Sequence, residues 1–191
     1  MIEGESLPTL EGRRIALRAL EERDVVGVFE IFSDSEVLRY WSHEPFASQA
    51  QAAAYVEDTL QGFAEKSFFQ WGVARRSDDT LLGTCTLWQL DEANRRSEIG
   101  FALGRRHWGQ GLMSEALGTL FDFAFGDLGL RRLEADVDPE NKASISLLEK
   151  LGFRREGYLR ERWLVAGKVA DSLMLGLLAR DWRNRDQDRA R

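Results

Sequence analysis

Ser97-Glu98-Ile99-Gly100-Phe101-Ala102-Leu103-Gly104-Arg105-Arg106-His107-Trp108-Gly109-Gln110-Gly111-Leu112-Met113-Ser114-Glu115-Ala116 changes character twice within twenty residues. Arg96 to Leu103 alternates, with Ile99, Phe101 and Leu103 on one face and Glu98, Gly100 and Ala102 on the other, as a strand does. From Leu112 the period becomes helical: Met113, Ala116, Leu117, Leu120, Phe121, Ala124 and Phe125 form one stripe. Between them lies Arg106-His107-Trp108-Gly109-Gln110-Gly111. At a strand-to-helix turn, successive backbone N–H groups and the helix dipole point together at an anion. Gly109 and Gly111 permit positive φ and close approach of a ligand to the backbone. The natural ligand is a phosphate or pyrophosphate, although two glycines also serve as plain turn geometry. A Walker A loop needs Gly-Lys-Ser/Thr, whereas Gly111 is followed by Leu112; a dinucleotide fingerprint needs a third glycine where Ser114 stands.

Outward from this stretch the pattern is mixed. Arg13 to Leu20 reads as a strand, Val25 to Phe32 as a helix, and Ser48 to Lys66 as a second amphipathic helix with Ser48 at its N-cap. Between those helices runs the aromatic segment Arg39-Tyr40-Trp41-Ser42-His43-Glu44-Pro45-Phe46. Phe68 to Arg75, Leu81 to Leu90 and Arg96 to Leu103 read as an antiparallel meander. After the long helix, Gly126 and Gly129 are available to end it. Arg132 to Asp138 is a strand with Leu133, Ala135 and Val137 on one face. Pro139 opens a short helix that reaches Leu151 and stops at Gly152. Tyr158 to Val165 and Val169 to Leu178 are strands joined across Ala166-Gly167-Lys168. The charged tail beyond Asp181 reads as frayed. This order predicts an α+β fold: a mixed sheet of about seven strands with about four helices on its two faces. Residues 1–182 form one domain and 183–191 the tail.

Composition narrows the function. The 191 residues are enough for one core-bearing domain. A net charge of -6 argues against nucleic acid as the main ligand and is compatible with a cationic partner. The single cysteine, Cys85, excludes an internal disulfide, and two histidines are too few for a His-rich metal centre. No segment has the ~18 consecutive apolar residues of a membrane span, and Met1 to Glu5 lack a signal-peptide pattern, so the expected location is the cytoplasm.

Ser97 to Leu103, the Arg106-x-x-Gly109-x-Gly111 loop, Glu115-Ala116, Asn141-Lys142-Ala143-Ser144 and Leu148-Glu149-Lys150-Leu151-Gly152-Phe153 together resemble the GCN5-related N-acetyltransferase (GNAT) superfamily. The likeness runs from Arg13 to about Trp182 and is nearest to the RimJ/RimL-type enzymes that modify protein N-termini. It implies acetyl-CoA as co-substrate, no metal, and an amine acceptor such as a protein N-terminus; an antibiotic, a polyamine or a silent acyl-CoA sensor are the alternatives. It implies that the strands at Glu98–Leu103 and Arg132–Asp138 are parallel but splay, so that pantetheine enters between them. The implied cofactor contacts are Phe101, Leu103, Arg106, His107, Gly109, Gln110, Gly111 and Leu112, with Asn141 as a catalytic-site residue near the pantetheine or an ordered water and Ser144 near the sulfur. A homodimer is compatible with these residues and does not follow from them.

Acetyl transfer needs a neutral amine, a polarised thioester carbonyl and a proton for the thiolate. Glu98 is the candidate base, directly or through water; its other reading is a strand residue paired with Arg95 or Arg96. Asn141 and Ser144 fit a helix cap, and the resemblance gives Ser144 the role of acid because Leu147-Leu148-Glu149-Lys150 lacks the tyrosine many relatives carry there. His43 and Glu44 are candidates for the acceptor cleft. Asp171 fits either amine recognition or a local hydrogen bond.

Overall fold

The computed structural model describes residues 7–165 and 167–189. Ala166, in the expected last hairpin turn, lies outside the described residues. The elements are β1 (Leu10–Glu11), β2 (Ile15–Arg18), α1 (Val25–Phe32), α2 (Gln49–Ala64), β3 (Phe68–Arg75), β4 (Leu81–Asp91), β5 (Arg96–Leu103), α3 (Leu112–Phe125), β6 (Arg132–Val137), α4 (Lys142–Lys150), β7 (Arg154–Val165), β8 (Lys168–Leu178) and α5 (Ala179–Arg189). The eight strands form one sheet in the order β1-β2-β3-β4-β5-β6-β8-β7. Every neighbouring pair is antiparallel except β5 and β6.

Strand alternation divides the sheet's side chains between two helical layers. On one face Ile15, Leu17, Phe69, Trp71, Val73, Leu87, Ile99 and Leu133 bury against Leu117, Leu120 and Phe121 of α3 and Ile145 and Leu148 of α4. The other face carries Leu20, Leu81 and Ala102 beneath Val28, Ile31 and Phe32 of α1 and Ala52 and Val56 of α2. Each such large apolar side chain contributes about 1.5–3 kcal/mol on burial. The stripe read along α3 is buried along its whole length, from Met113 to Phe125.

Three local expectations shift. The first strand is two: Gly12 donates its N–H to the Ile15 carbonyl at 2.9 Å, turning the chain so that Leu10 lies opposite Leu17. Ser48 holds the N-cap position of α2 in an extended conformation but makes no side-chain cap bond; Gln51 accepts from the Ala47 N–H instead, at 2.6 Å. The charged tail is helical as α5 because it has an apolar anchor. Trp182 meets Phe121 edge-on at 5.3 Å and donates to Asp122 at 2.8 Å. Arg185 lies over the Trp182 ring and donates to the Lys150 and Leu151 carbonyls, satisfying the C-terminus of α4.

Candidate active site

The parallel pairing of β5 and β6 covers three positions only: Arg96 with Arg132, Ser97 with Leu133, and Glu98 with Glu134. Beyond Glu98, β5 runs on from Ile99 to Leu103 bonded to β4, and β6 runs on to Val137 bonded to β8. The two inner edges diverge there. Backbone N–H and C=O groups facing the gap have no ladder partner, and an extended ligand with amide groups can pair with them.

The loop after β5 closes one end of the gap. Residues Arg105–His107 form a 3-10 turn; Gly109 and Gly111 then adopt φ of 72° and 73°, with Gly111 as the left-handed N-cap of α3. The first N–H bond of the helix is Glu115 to the Gly111 carbonyl. The N–H groups of Leu112, Met113 and Ser114 therefore lie ahead of any intrahelical acceptor, which makes the end of α3 an anion nest. The loop is braced from all sides. Trp108 donates to the Leu103 carbonyl at 2.7 Å, Gln110 to the Arg106 carbonyl at 3.0 Å, and Arg14 to the Gln110 carbonyl at 3.1 Å while its Nε bonds Glu115. Of the loop's side chains, Arg106 pairs outward with Glu30 of α1, Leu112 is in the core, and the His107 ring is buried. Burial, then the neighbouring Arg106 and Arg75, hold the His107 pKa below its ordinary value. These residues offer an anion their backbone rather than their side chains. A groove of about 380 Å³ leads from Gly111 past Ser114, Gly118 and Thr119 to Trp182.

Glu98 is the last β5 residue paired with β6, so it stands where the splay begins. It is half-buried, on the face opposite the α3 core, and stands directly across from Trp88 of β4. Burial raises its pKa, the nearby Asp136 and Glu134 raise it further, and Trp88 and Arg162 oppose the shift. Arg96 is not its partner: that guanidinium pairs with Glu134 at 2.8 Å and with Asp91 at 3.4 Å. Phe101 and Leu103 are partly buried against the α3 core, so this strand presents its backbone edge to the gap and Glu98 to the opposite face.

Asn141 and Ser144 lie at the far side of the gap, where β6 hands over to α4. Asn141 Oδ1 accepts from the Ser144 N–H at 3.1 Å, which is the cap; the Ser144 hydroxyl is not engaged in it. Asp171, His43 and Cys85 are engaged locally. Asp171 accepts from the Tyr158 hydroxyl at 2.5 Å and the Glu161 N–H at 2.7 Å, so a local hydrogen bond holds it. His43 bonds the Glu44 carbonyl and stacks near Phe46 at 5.8 Å. Cys85 is fully buried beside Met113, and burial drives its thiol pKa far up. Sequence reasoning passed over Trp88, Glu134, Asp136, Arg162 and Trp163, which share the Glu98 side of the sheet. The alternation of Leu133, Ala135 and Val137 carried the signal for Glu134 and Asp136; Arg162 and Trp163 reach the site only through strand order. Among the described residues no group of three or more His, Cys, Asp or Glu could hold a metal ion, and no helix is long and apolar enough to cross a membrane.

An open strand edge, an anion nest and a half-buried carboxylate suit a long phosphorylated thioester and a nucleophile to be deprotonated. Known proteins bear on this directly. The acetyltransferase (GNAT) domain family matches residues 14–154. An uncharacterized N-acetyltransferase, p20, of Bacillus licheniformis is 37% identical over 92% of this chain and 99% of its own. A spermidine N(1)-acetyltransferase of Vibrio cholerae is 25% identical, covering 91% and 98%. A solved Vibrio cholerae structure, described as a "putative ribosomal-protein-serine acetyltransferase", superposes with a TM-score of 0.79 at 27% identity, covering 89% and 97%. The chain belongs to the GNAT family and is an acyl-CoA-dependent N-acetyltransferase, with acetyl-CoA as its co-substrate.

Proposed function

We propose that this enzyme acetylates the N-terminal amine of a protein, with Glu98 accepting the amine proton directly or through one water. The observation that carries the reading is the place of Glu98: half-buried, at the last paired position before the splay, with its pKa raised. The pantetheine arm lies along the free edge from Ile99 to Leu103, and the pyrophosphate rests on the N–H groups of Gly109 to Ser114. The amine nitrogen attacks the thioester carbonyl carbon, its proton passes to Glu98, and the C–S bond breaks with its electron pair on sulfur. The Ser144 hydroxyl, left over from the cap, donates to the departing thiolate.

Two features favour a protein N-terminus over an alkyl amine. An α-amine has a pKa near ~7.7–8.0 against ~10.4 for an alkylammonium; the difference of roughly 2.5 units is about 3.4 kcal/mol that the base need not supply. The rim of the cleft is apolar on the Glu98 face, with Trp88, Leu159 and Trp163 each about two-fifths exposed. A polypeptide covers such a rim; a small amine does not. The ribosomal-protein-serine relative points the same way.

Thiol release from acetyl-CoA, measured across N-terminal peptides and spermidine, tests the acceptor class. Turnover on peptides blocked by prior N-terminal acetylation but not by lysine modification is expected. Turnover on spermidine with none on any peptide would replace the reading by a polyamine acetyltransferase. CoA binding with turnover on neither peptides nor spermidine would overturn the N-terminal reading and leave another amine as the acceptor.

A further inference from the structure

The strand β7 leaves its ladder with β8 between Leu159, opposite Ser172, and Trp163, opposite Ala170. Arg160, Glu161 and Arg162 therefore stand against Asp171 alone. Glu161 takes a φ of 55°, and Asp171 holds the bulge by accepting its N–H and the Tyr158 hydroxyl. Bulges re-aim side chains, and this one turns two consecutive residues onto one atom. Arg162 Nε and Trp163 Nε1 both donate to Asp136 Oδ2, at 2.9 and 3.2 Å. Because β8 separates β7 from β6, the Trp163 indole crosses β8 midway between Ala170 and Met174, over Ser172. Ser172 is fully buried and its hydroxyl has no hydrogen-bond partner among the described residues. The Asp136 side chain is only 8% exposed.

We propose that Arg162 is a positioning residue for acetyl transfer: carried over the sheet by the Asp171-held bulge, it neutralises Asp136 beside Glu98. This rests on Glu98 being the proton acceptor. The groups around Glu98 divide as follows. Trp88 and Asp91 come from β4, Arg96 from its own strand, Arg132, Glu134 and Asp136 from β6, and Glu156 and Arg162 from β7. Arg96 and Arg132 both pair with Glu134, at 2.8 and 2.7 Å, and Arg132 also pairs with Glu156. The cation that Asp136 pairs with is Arg162. Asp136 ranks after burial among the influences that push the Glu98 pKa up, and Arg162 opposes it. Without the guanidinium, two uncompensated carboxylates would share a poorly solvated face, and Glu98 would hold its proton to higher pH.

The test combines Arg162→Gln, the double variant Arg162→Gln/Asp136→Asn, and two readouts in the full-length protein. One is the titration of the Glu98 carboxyl followed by carbon NMR, assigned with Glu98→Gln. The other is the acid limb of kcat/KM on an N-terminal peptide. Arg162→Gln should move both upward by about one pH unit, and adding Asp136→Asn should bring both back. Asp171→Asn should move them in the same direction by less. A Glu98 titration unmoved by Arg162→Gln, or a shift that persists in the double variant, would overturn the proposal. A titration that moves while the kinetic limb stays fixed would overturn the proton-acceptor reading, and Arg162's part in catalysis with it, while leaving the charge coupling intact.

Discussion

Gly109→Ala and Gly129→Ala form a matched pair that separates backbone strain from ligand contact. Gly109 has φ 72° and Gly129 φ 63°, and a Cβ built on either meets no atom within 4 Å. Strain at the two sites is therefore alike: an alanine held in the left-handed region costs about 1–2 kcal/mol. For a chain of this length that corresponds to a loss of roughly 2–8 °C in Tm. The sites differ in surroundings. Gly109 lies in the nest at the start of α3, whereas Gly129 follows the other end of that helix. If the open space over Gly109 is where the pyrophosphate rests, the added methyl displaces it and forfeits backbone hydrogen bonds to a charged group, each worth about 1.5–3 kcal/mol. Calorimetric titration with acetyl-CoA should then show Kd raised at least tenfold by Gly109→Ala and unchanged by Gly129→Ala. Equal Kd in the two folded variants would refute the siting of the pyrophosphate.

The remaining predictions concern the catalytic face. Asn141→Ala removes the acceptor for the Ser144 N–H and should cost about 1 kcal/mol in denaturant melts. Ser144→Ala keeps that cap, so it should leave Tm in place while single-turnover rates fall roughly tenfold to a hundredfold; a lowered Tm with an intact rate would return Ser144 to the scaffold. Ser172→Ala removes a buried hydroxyl without a partner, and thermal melts should show unchanged or higher stability; a loss would reveal a bond that the site depends on. Because the folded pKa of Glu98 is raised, the native state binds the extra proton, and stability falls as pH rises from the unfolded value, near ~4.3, through the folded one. Glu98→Gln should therefore be more stable than the wild type at pH 7. That advantage should vanish below ~4.3, where the unfolded carboxyl is protonated too; a variant less stable at pH 7 would contradict the burial of an ionised Glu98.

Local patterns made β3, β5 and α3 legible at their boundaries. Phe69, Trp71 and Val73 alternate cleanly, and the α3 stripe repeats at helical spacing. The glycines of the loop were legible as well, because glycine enters the left-handed region they occupy at the least steric cost. What the sequence does not display is register between distant segments. The three-residue pairing of β5 with β6, and the insertion of β8 between β6 and β7, are long-range choices set by packing on α3 and α4. Arg162 is therefore unreadable as a neighbour of Glu98: it lies far along the chain and reaches the site through a bulge whose cause, the Asp171 carboxylate, sits on another strand. Arg106 shows both. Its place in the loop was legible, whereas its pairing with Glu30, distant in sequence, was not. The helix α5 was missed because charge dominates its composition and a single tryptophan anchors it.

The claim on which the mechanism turns is that Glu98 takes the proton from the acceptor amine. Single-turnover acetyl transfer by Glu98→Gln at neutral pH, on the peptide the wild type acetylates best, tests it most directly. The expected result is a rate lower by ~10²–10⁴-fold, with acetyl-CoA affinity held within about twofold because the nest and the free edge of β5 are untouched. A folded variant with the wild-type single-turnover rate and pH profile would contradict the account and remove Glu98 from the chemistry.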